Sequence, residues 1–157
     1  MQGLTIKQLI QHIEDTAMQH PAVQQFGTGE DFEISPAGDA KPVLVWLEQP
    51  FISTIEAQPG RSVLQTIEAQ ILVLDIPLTS NADLTDILSK TYSVAAWLFM
   101  RLRENPQRFT MITTGDQAPS LLSLTNFGPD GAAGWRLECK LQLPLPFDAC
   151  DVNKFGV

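Results

Sequence analysis

Histidine and cysteine are scarce in this chain, with two of each among 157 residues. His12 and His20 lie eight positions apart, off any one tight helical edge, and read as exposed or half-buried polar residues rather than ligands. Cys139 and Cys150 show neither a CxxC spacing nor a histidine at ligand distance, which argues against a zinc site. Long apolar runs are missing too. None approaches the roughly 20 residues that span a bilayer, and Met1-Gln2-Gly3-Leu4-Thr5 has no basic region leading into an apolar core. The expectation is cytosolic synthesis without a secretory signal and no membrane partner. Basic residues are also few: 10 against 18 acidic ones, for a formal charge of −8. Broad binding to a phosphate backbone needs lysine and arginine to displace counterions, so specific nucleic-acid binding is disfavoured.

The familiar catalytic signatures are absent. The sequence contains no GxSxG elbow, no HExxH, no GxxxxGKS/T and no GxGxxG. Gly27-Thr28-Gly29-Glu30 is glycine-rich, yet it lacks the lysine and the strand-to-helix setting that cradle a phosphate. Carboxylates are plentiful, but nothing places two of them on facing elements as a glycosidase-like pair requires. No catalytic residue, cofactor or metal ligand is expected, and the chain reads as a non-enzyme.

What is present is an ordinary globular composition, 44% hydrophobic with mean hydropathy +0.02. One domain over residues 1–157 is the expectation. A chain of this size can bury about 68–70% of its unfolded surface, so its core needs no disulfide. The organising stretch is residues 126–150. Gly128-Pro129-Asp130-Gly131 is turn chemistry. After it Trp135, Leu137, Cys139, Leu141 and Leu143 alternate with Arg136, Glu138, Lys140 and Gln142, the period of a strand with one dry and one charged face. Cys139 on the dry side reads as a small buried hydrophobe, and Cys150 can reach it only if the chain turns back sharply after Pro146. Pro144 and Pro146 remove backbone donors and end the pairing. Residues 121–127 supply the partner strand, giving a closing hairpin over 121–143.

Upstream, residues 5–20 carry Ile6, Leu9, Ile10, Ile13 and Ala17 at helical spacing, with Thr5 and Gln8 placed for a capping box and Pro21 as the stop. Residues 21–42 read as loop, with one short strand at 31–35. Residues 43–47 form an apolar strand broken at Gln49-Pro50, and 51–75 form a long hairpin about a Pro59-Gly60 tip. In its second arm, Ile71-Leu72-Val73-Leu74 is apolar on both faces while the first half is mixed. That pattern fits a strand buried at one end and exposed at the other. The hairpin is read as an ordinary long one or as one projecting toward a neighbouring subunit. Residues 81–105 form the main helix, capped by Ser80 or Asn81, with Leu84, Ile87, Leu88, Ala95, Leu98, Phe99 and Leu102 on the sheet and Trp97 and Met100 off that face. Residues 109–113 resume extended structure before a loop at 115–119. The expected fold is α+β: a two-layer sandwich with an antiparallel or mixed sheet of about five or six strands and both helices on one face.

Charge is uneven. Residues 1–60 hold Lys7 and Lys41 against eight acids, a net −6. Glu30, Asp31, Glu33 and Asp39 are the densest part, readable as a solvated loop or as a docking surface for a basic partner. Arg136 in the Gly-Trp-Arg run is read as paired with a neighbouring acid, such as Glu138 or a cross-strand partner, or as one half of an inter-subunit salt bridge.

The element order, the size and the closing hairpin resemble the tail-terminator (tail-completion) proteins of tailed bacteriophages and phage-tail-like particles. At sequence level the similarity is confined to residues 130–150, where Ala-Gly-Trp-Arg runs into the strand, followed by Leu-Gln-Leu-Pro and a cysteine. The resemblance implies a virion structural protein, assembled in the bacterial cytoplasm into a ring of six subunits that caps the tail tube. Its implied partners are its own copies, the tail-tube protein and the head–tail connector or stopper, with DNA only as passing cargo. A poorly basic inner surface would let that DNA slide. Loop placement alone suggests contact residues at Glu30, Asp31, Glu33 and Asp39 in the acidic loop, Pro59, Gly60 and Arg61 at the hairpin tip, and Asp116, with Trp135 and Arg136 as further interface candidates. Two alternatives stand beside it: another connector, stopper or baseplate component, and a small soluble enzyme or ligand-binding domain.

Overall fold

Two long strands carry the sheet of this protein, seen in a computed structural model that describes residues 4–30, 43–49, 51–57, 63–76, 83–104, 109–127 and 131–145. They are β4 (Leu64–Asp75) and β7 (Ala132–Pro144), antiparallel in unbroken register from Leu64 opposite Pro144 to Asp75 opposite Ala133. The outer edge of each is filled by two short strands laid end to end. Along β4 run β2 (Leu44–Glu48) and β3 (Ile52–Glu56), and along β7 run β5 (Thr110–Met111) and β6 (Ser120–Phe127). The expected break at Gln49-Pro50 therefore divides one edge into two strands. A further strand, β1 (Gln25–Gly29), lies parallel to β2 and makes the sheet mixed.

The sheet has seven strands rather than five or six. The additional one, β1, falls where two glycines suggest a loop. Gly27 is there because the Trp46 ring of β2 lies across it, and a Cβ would run into that ring. Trp46 Nε1–H then donates to the Gly29 carbonyl at 3.2 Å, tying the two strands together. The strand expected at 31–35 lies outside the described residues.

The alternation of β7 sorts the sheet into two faces. Leu137, Cys139, Leu141 and Leu143 join Ile67, Ala69, Ile71 and Val73 of β4 in a buried layer beneath both helices. Helix α1 (Ile6–Ala17) buries Leu9, Ile13 and Ala17, and α2 (Leu84–Arg103) buries Val94, Ala95, Leu98 and Leu102 against that layer. Each such leucine, isoleucine or valine contributes about 1.5–3 kcal/mol on leaving water. On the opposite face the buried apolar cluster among the described residues lies at one end, where Leu72, Leu74 and Ala132 are buried with Trp46, Leu124 and Phe127 packed beside them. Gly134 sits within that end because β4 passes so close that a Cβ would land on the Val73 carbonyl oxygen.

The helix ends differ in detail from the expected ones. The Thr5–Gln8 capping box forms as its spacing requires, with Gln8 N–H on Thr5 Oγ1 at 3.2 Å and Thr5 N–H on Gln8 Oε1 at 2.9 Å. However, α1 stops at Ala17, and His20 turns back to accept the Ala22 N–H through Nδ1. Helix α2 is capped by Asp83, not by Ser80 or Asn81: its carboxylate accepts the Thr85 N–H at 2.9 Å. Leu84, in the first turn, remains 47% exposed instead of packing on the sheet. Trp97 lies against His20 in a T-shaped contact and beneath Arg101.

Strand β4 is not exposed at its polar end. It pairs with β7 along its whole length and β3 covers its other edge, so Gln65, Thr66 and Ile67 are buried, while Glu68 is half-buried and Gln70 is exposed. Strand β3 stands out in water, β6 is largely exposed as well, and the Pro59-Gly60 tip lies outside the described residues.

Candidate functional site

Because neighbouring strands share a face residue by residue, the charges of β4 and β7 gather on the side away from the helices. Glu68 stands directly opposite Lys140, and their side chains meet at 3.0 Å. Arg136 stands opposite Leu72 and reaches past it to Glu48 on β2, Nη2 to Oε1, at 3.2 Å. This second pair is the drier one, with side chains 21% and 13% exposed. Arg136 Nε is buried and meets no acceptor among the described residues.

A shallow cavity of about 280 Å3 opens on this face between the middle of β4 and β7 and the 3-10 turn at Gly115–Gln117. Glu68, Gln70, Asp116, Gln117, Glu138 and Lys140 line it. Its volume is at the lower limit of small-molecule sites, and its one cation is already engaged with Glu68. Among the described residues, no group of three or more His, Cys, Asp or Glu side chains is arranged to hold a metal ion.

The residues singled out from the sequence divide into several places. Asp31, Glu33, Asp39, Pro59, Gly60 and Arg61 lie outside the described residues. Glu30 is exposed just beyond β1, and Asp116 is exposed at the rim of the cavity. Trp135 and Arg136, adjacent in sequence, point to opposite faces. Trp135 Nε1–H donates to the Leu88 carbonyl at 2.8 Å and its ring meets Tyr92 edge-on at 5.2 Å, which locks α2 onto β7. Arg136 takes its acid from within the chain, 88 residues upstream. Of the set, the described positions do not converge on one point.

Two surface features stand out; the projecting reading of the 51–75 hairpin allowed for the first, and the second was not anticipated. On β3 all five residues are exposed, with Ile52 and Ile55 at 61% and 62%. On β6, Leu122 is 52% exposed. A signal for the first was available: isoleucines three apart in a strand point to opposite faces, so one layer of helices cannot cover both. The consecutive Leu121-Leu122 gives the same signal for β6.

A scan against protein-family models finds no match, and a search of curated proteins finds none.

Proposed function

We propose that the chain is a structural protein of a phage tail or phage-tail-like particle, one subunit of a six-fold ring that caps the tail tube, stops its growth and joins it to the neck. The observation that carries the reading is β3, a sheet-edge strand exposed along its whole length with two isoleucines in water. An edge of this kind is a template for another chain, and a protein that assembles has a use for it. The assignment to a tail in particular rests on the similarity across residues 130–150. The excess of acid, −8 overall, suits a channel through which DNA passes without adhering.

A ligand-binding role has one observation in its favour, the cavity beside the 3-10 turn, where three carboxylates face a single lysine. Small cationic amines are the ligands such a wall would take.

Mass photometry and negative-stain imaging of the purified chain across a concentration series test the assembly. Six-fold rings with a central hole are the expected result. A particle that stays monomeric at every concentration, and is stabilised by a cationic ligand in a thermal-shift screen, overturns it.

A further inference from the structure

Edge strands in natural proteins are usually guarded by lysine, proline or an inward charge that blocks pairing with a second chain. Two edges of this sheet lack lysine, proline and inward charge, although β6 carries an irregularity between Leu124 and Phe127, with Asn126 at φ +52, that limits its regular pairing to residues 120–124. Strand β6 reads Ser120-Leu121-Leu122-Ser123-Leu124-Thr125-Asn126-Phe127, eight residues without a charge or a proline. Strand β3 reads Ile52-Ser53-Thr54-Ile55-Glu56, with one charge at its end. Each pairs on one side only among the described residues, β3 with β4 and β6 with β7. Both carry little charge, and β3 adds two isoleucines and a threonine, the composition that seeks a partner strand.

Their placement within the fold is complementary. Strand β3 is antiparallel to β4, β4 to β7 and β7 to β6, so β3 and β6 run in opposite directions at opposite edges of one sheet. A copy of the sheet laid beside the first therefore brings β6 against β3 antiparallel, with no reversal of either molecule. Faces match as well. Ile52 stands opposite Glu68 and Leu122 opposite Arg136, so both exposed apolar side chains lie on the charged face, away from the helices. Side by side, each covers the other.

The two edges are also offset. Strand β3 lies beside residues 64–68 of β4, whereas β6 lies level with residues 70–74, through β7. Six residues of offset is about 20 Å at 3.3 Å per residue. A sideways repeat with a fixed offset is the stagger found where a sheet closes on itself, and two unlike edges meeting head to tail build a ring when the rotation closes and a filament when it does not, but not a two-fold dimer.

We infer that β3 of one copy pairs with β6 of the next, continuing the sheet from subunit to subunit around the ring. The inference rests on the ring reading and supplies its joint.

Crosslinking of the full chain tests it. Ser53→Cys and Ser123→Cys, both exposed and both on the helix-covered face, are made separately in a Cys150→Ser background; the remaining Cys139 is buried. The two forms are mixed and treated with a short bis-maleimide, and the linked peptides are identified by mass spectrometry. Covalent dimers joining position 53 to position 123 in the mixture, and none from either form alone, are expected. Dimers from Ser53→Cys alone would mean a two-fold β3–β3 contact and overturn the inference. A charge pair gives the second readout: Ile52→Lys weakens assembly at least tenfold with the monomer melting temperature unchanged, and Leu122→Glu in the same chain restores it. Rings that persist in Ile52→Lys and give no 53–123 link refute the joint but leave the ring standing. A chain monomeric at every concentration and stabilised by a cationic ligand removes both.

Discussion

The Arg136–Glu48 pair offers the sharpest test of what holds the charged face together. At 3.2 Å the Coulomb attraction is about 5 kcal/mol for an effective dielectric constant near 20. Most of this is offset, because both groups leave water and two long side chains are ordered. A net coupling of about 1–2 kcal/mol remains. Removing one partner costs more than that coupling. In Glu48→Ala the guanidinium stays 21% exposed, its Nε already without an acceptor among the described residues, and now has no counter-charge. The expected loss is about 2–3 kcal/mol, or roughly 4–12 °C in Tm for a chain of this size. Arg136→Met fills the same space without charge and is the milder change. The assay is a double-mutant cycle by urea unfolding with Glu48→Ala, Arg136→Met and both together. The double variant should be more stable than the sum of the singles predicts, by about 1–2 kcal/mol. Because the pair is largely shielded, the coupling should fall little on going from 0.05 to 0.5 M salt. Additivity within about 0.3 kcal/mol, or Arg136 variants that alter assembly and leave folding untouched, would refute the in-chain pairing.

Gly134→Ala should destabilise by about 1–3 kcal/mol in the same unfolding assay, since its Cβ meets backbone of β4 that cannot step aside. Gly115→Ala, where the space is open and only φ +67 is at issue, should cost about 1 kcal/mol; equal losses would remove the steric argument. Trp135→Phe keeps the ring but loses the indole N–H to the Leu88 carbonyl. It should cost about 1 kcal/mol and weaken the α2–β7 contact, seen as faster hydrogen exchange at the first turns of α2. Burial alone pushes the Cys139 thiol up from 9.0 to about 12. The folded state thus holds this proton more tightly than the unfolded one, so the contribution to stability is complete below pH 9 and is lost as pH rises toward 12. Cys139→Ala should flatten that alkaline decline, and in the Cys150→Ser background native Cys139 should react with a thiol reagent only as fast as the chain unfolds. Rapid labelling in the folded state would contradict its burial.

Sequence legibility followed the range of the interaction. The capping box of α1 depends on Thr5 and Gln8, three positions apart, and was readable. So was the two-residue alternation of β7, and so was the break between β2 and β3, which proline chemistry marks locally. The two-layer α+β class followed from those patterns, because a helix stripe and a strand face each need one apolar partner. Strand β1 escaped because glycine has no fixed local meaning: Gly27 serves a strand only once Trp46, on another strand, is laid over it. The N-cap of α2 was misplaced because Ser80, Asn81 and Asp83 are all good caps, and which one is used depends on where the sheet lets the helix begin.

The sequence by itself determined which residues alternate, where helices and turns could start and stop, and that the chain is acidic and lacks the common catalytic motifs. Only the tertiary structure decided what each polar residue faces. Gln65 and Thr66 read as exposed, yet β4 lies in the middle of the sheet with a strand on either side, and they are buried. Arg136 shares its face with Glu138, yet it reaches across β4 to Glu48 on β2 instead. The same placement leaves β3 and β6 as open edges among the described residues. A strand's own residues specify its faces, whereas its neighbours, supplied by distant parts of the chain, decide which edges remain unpaired.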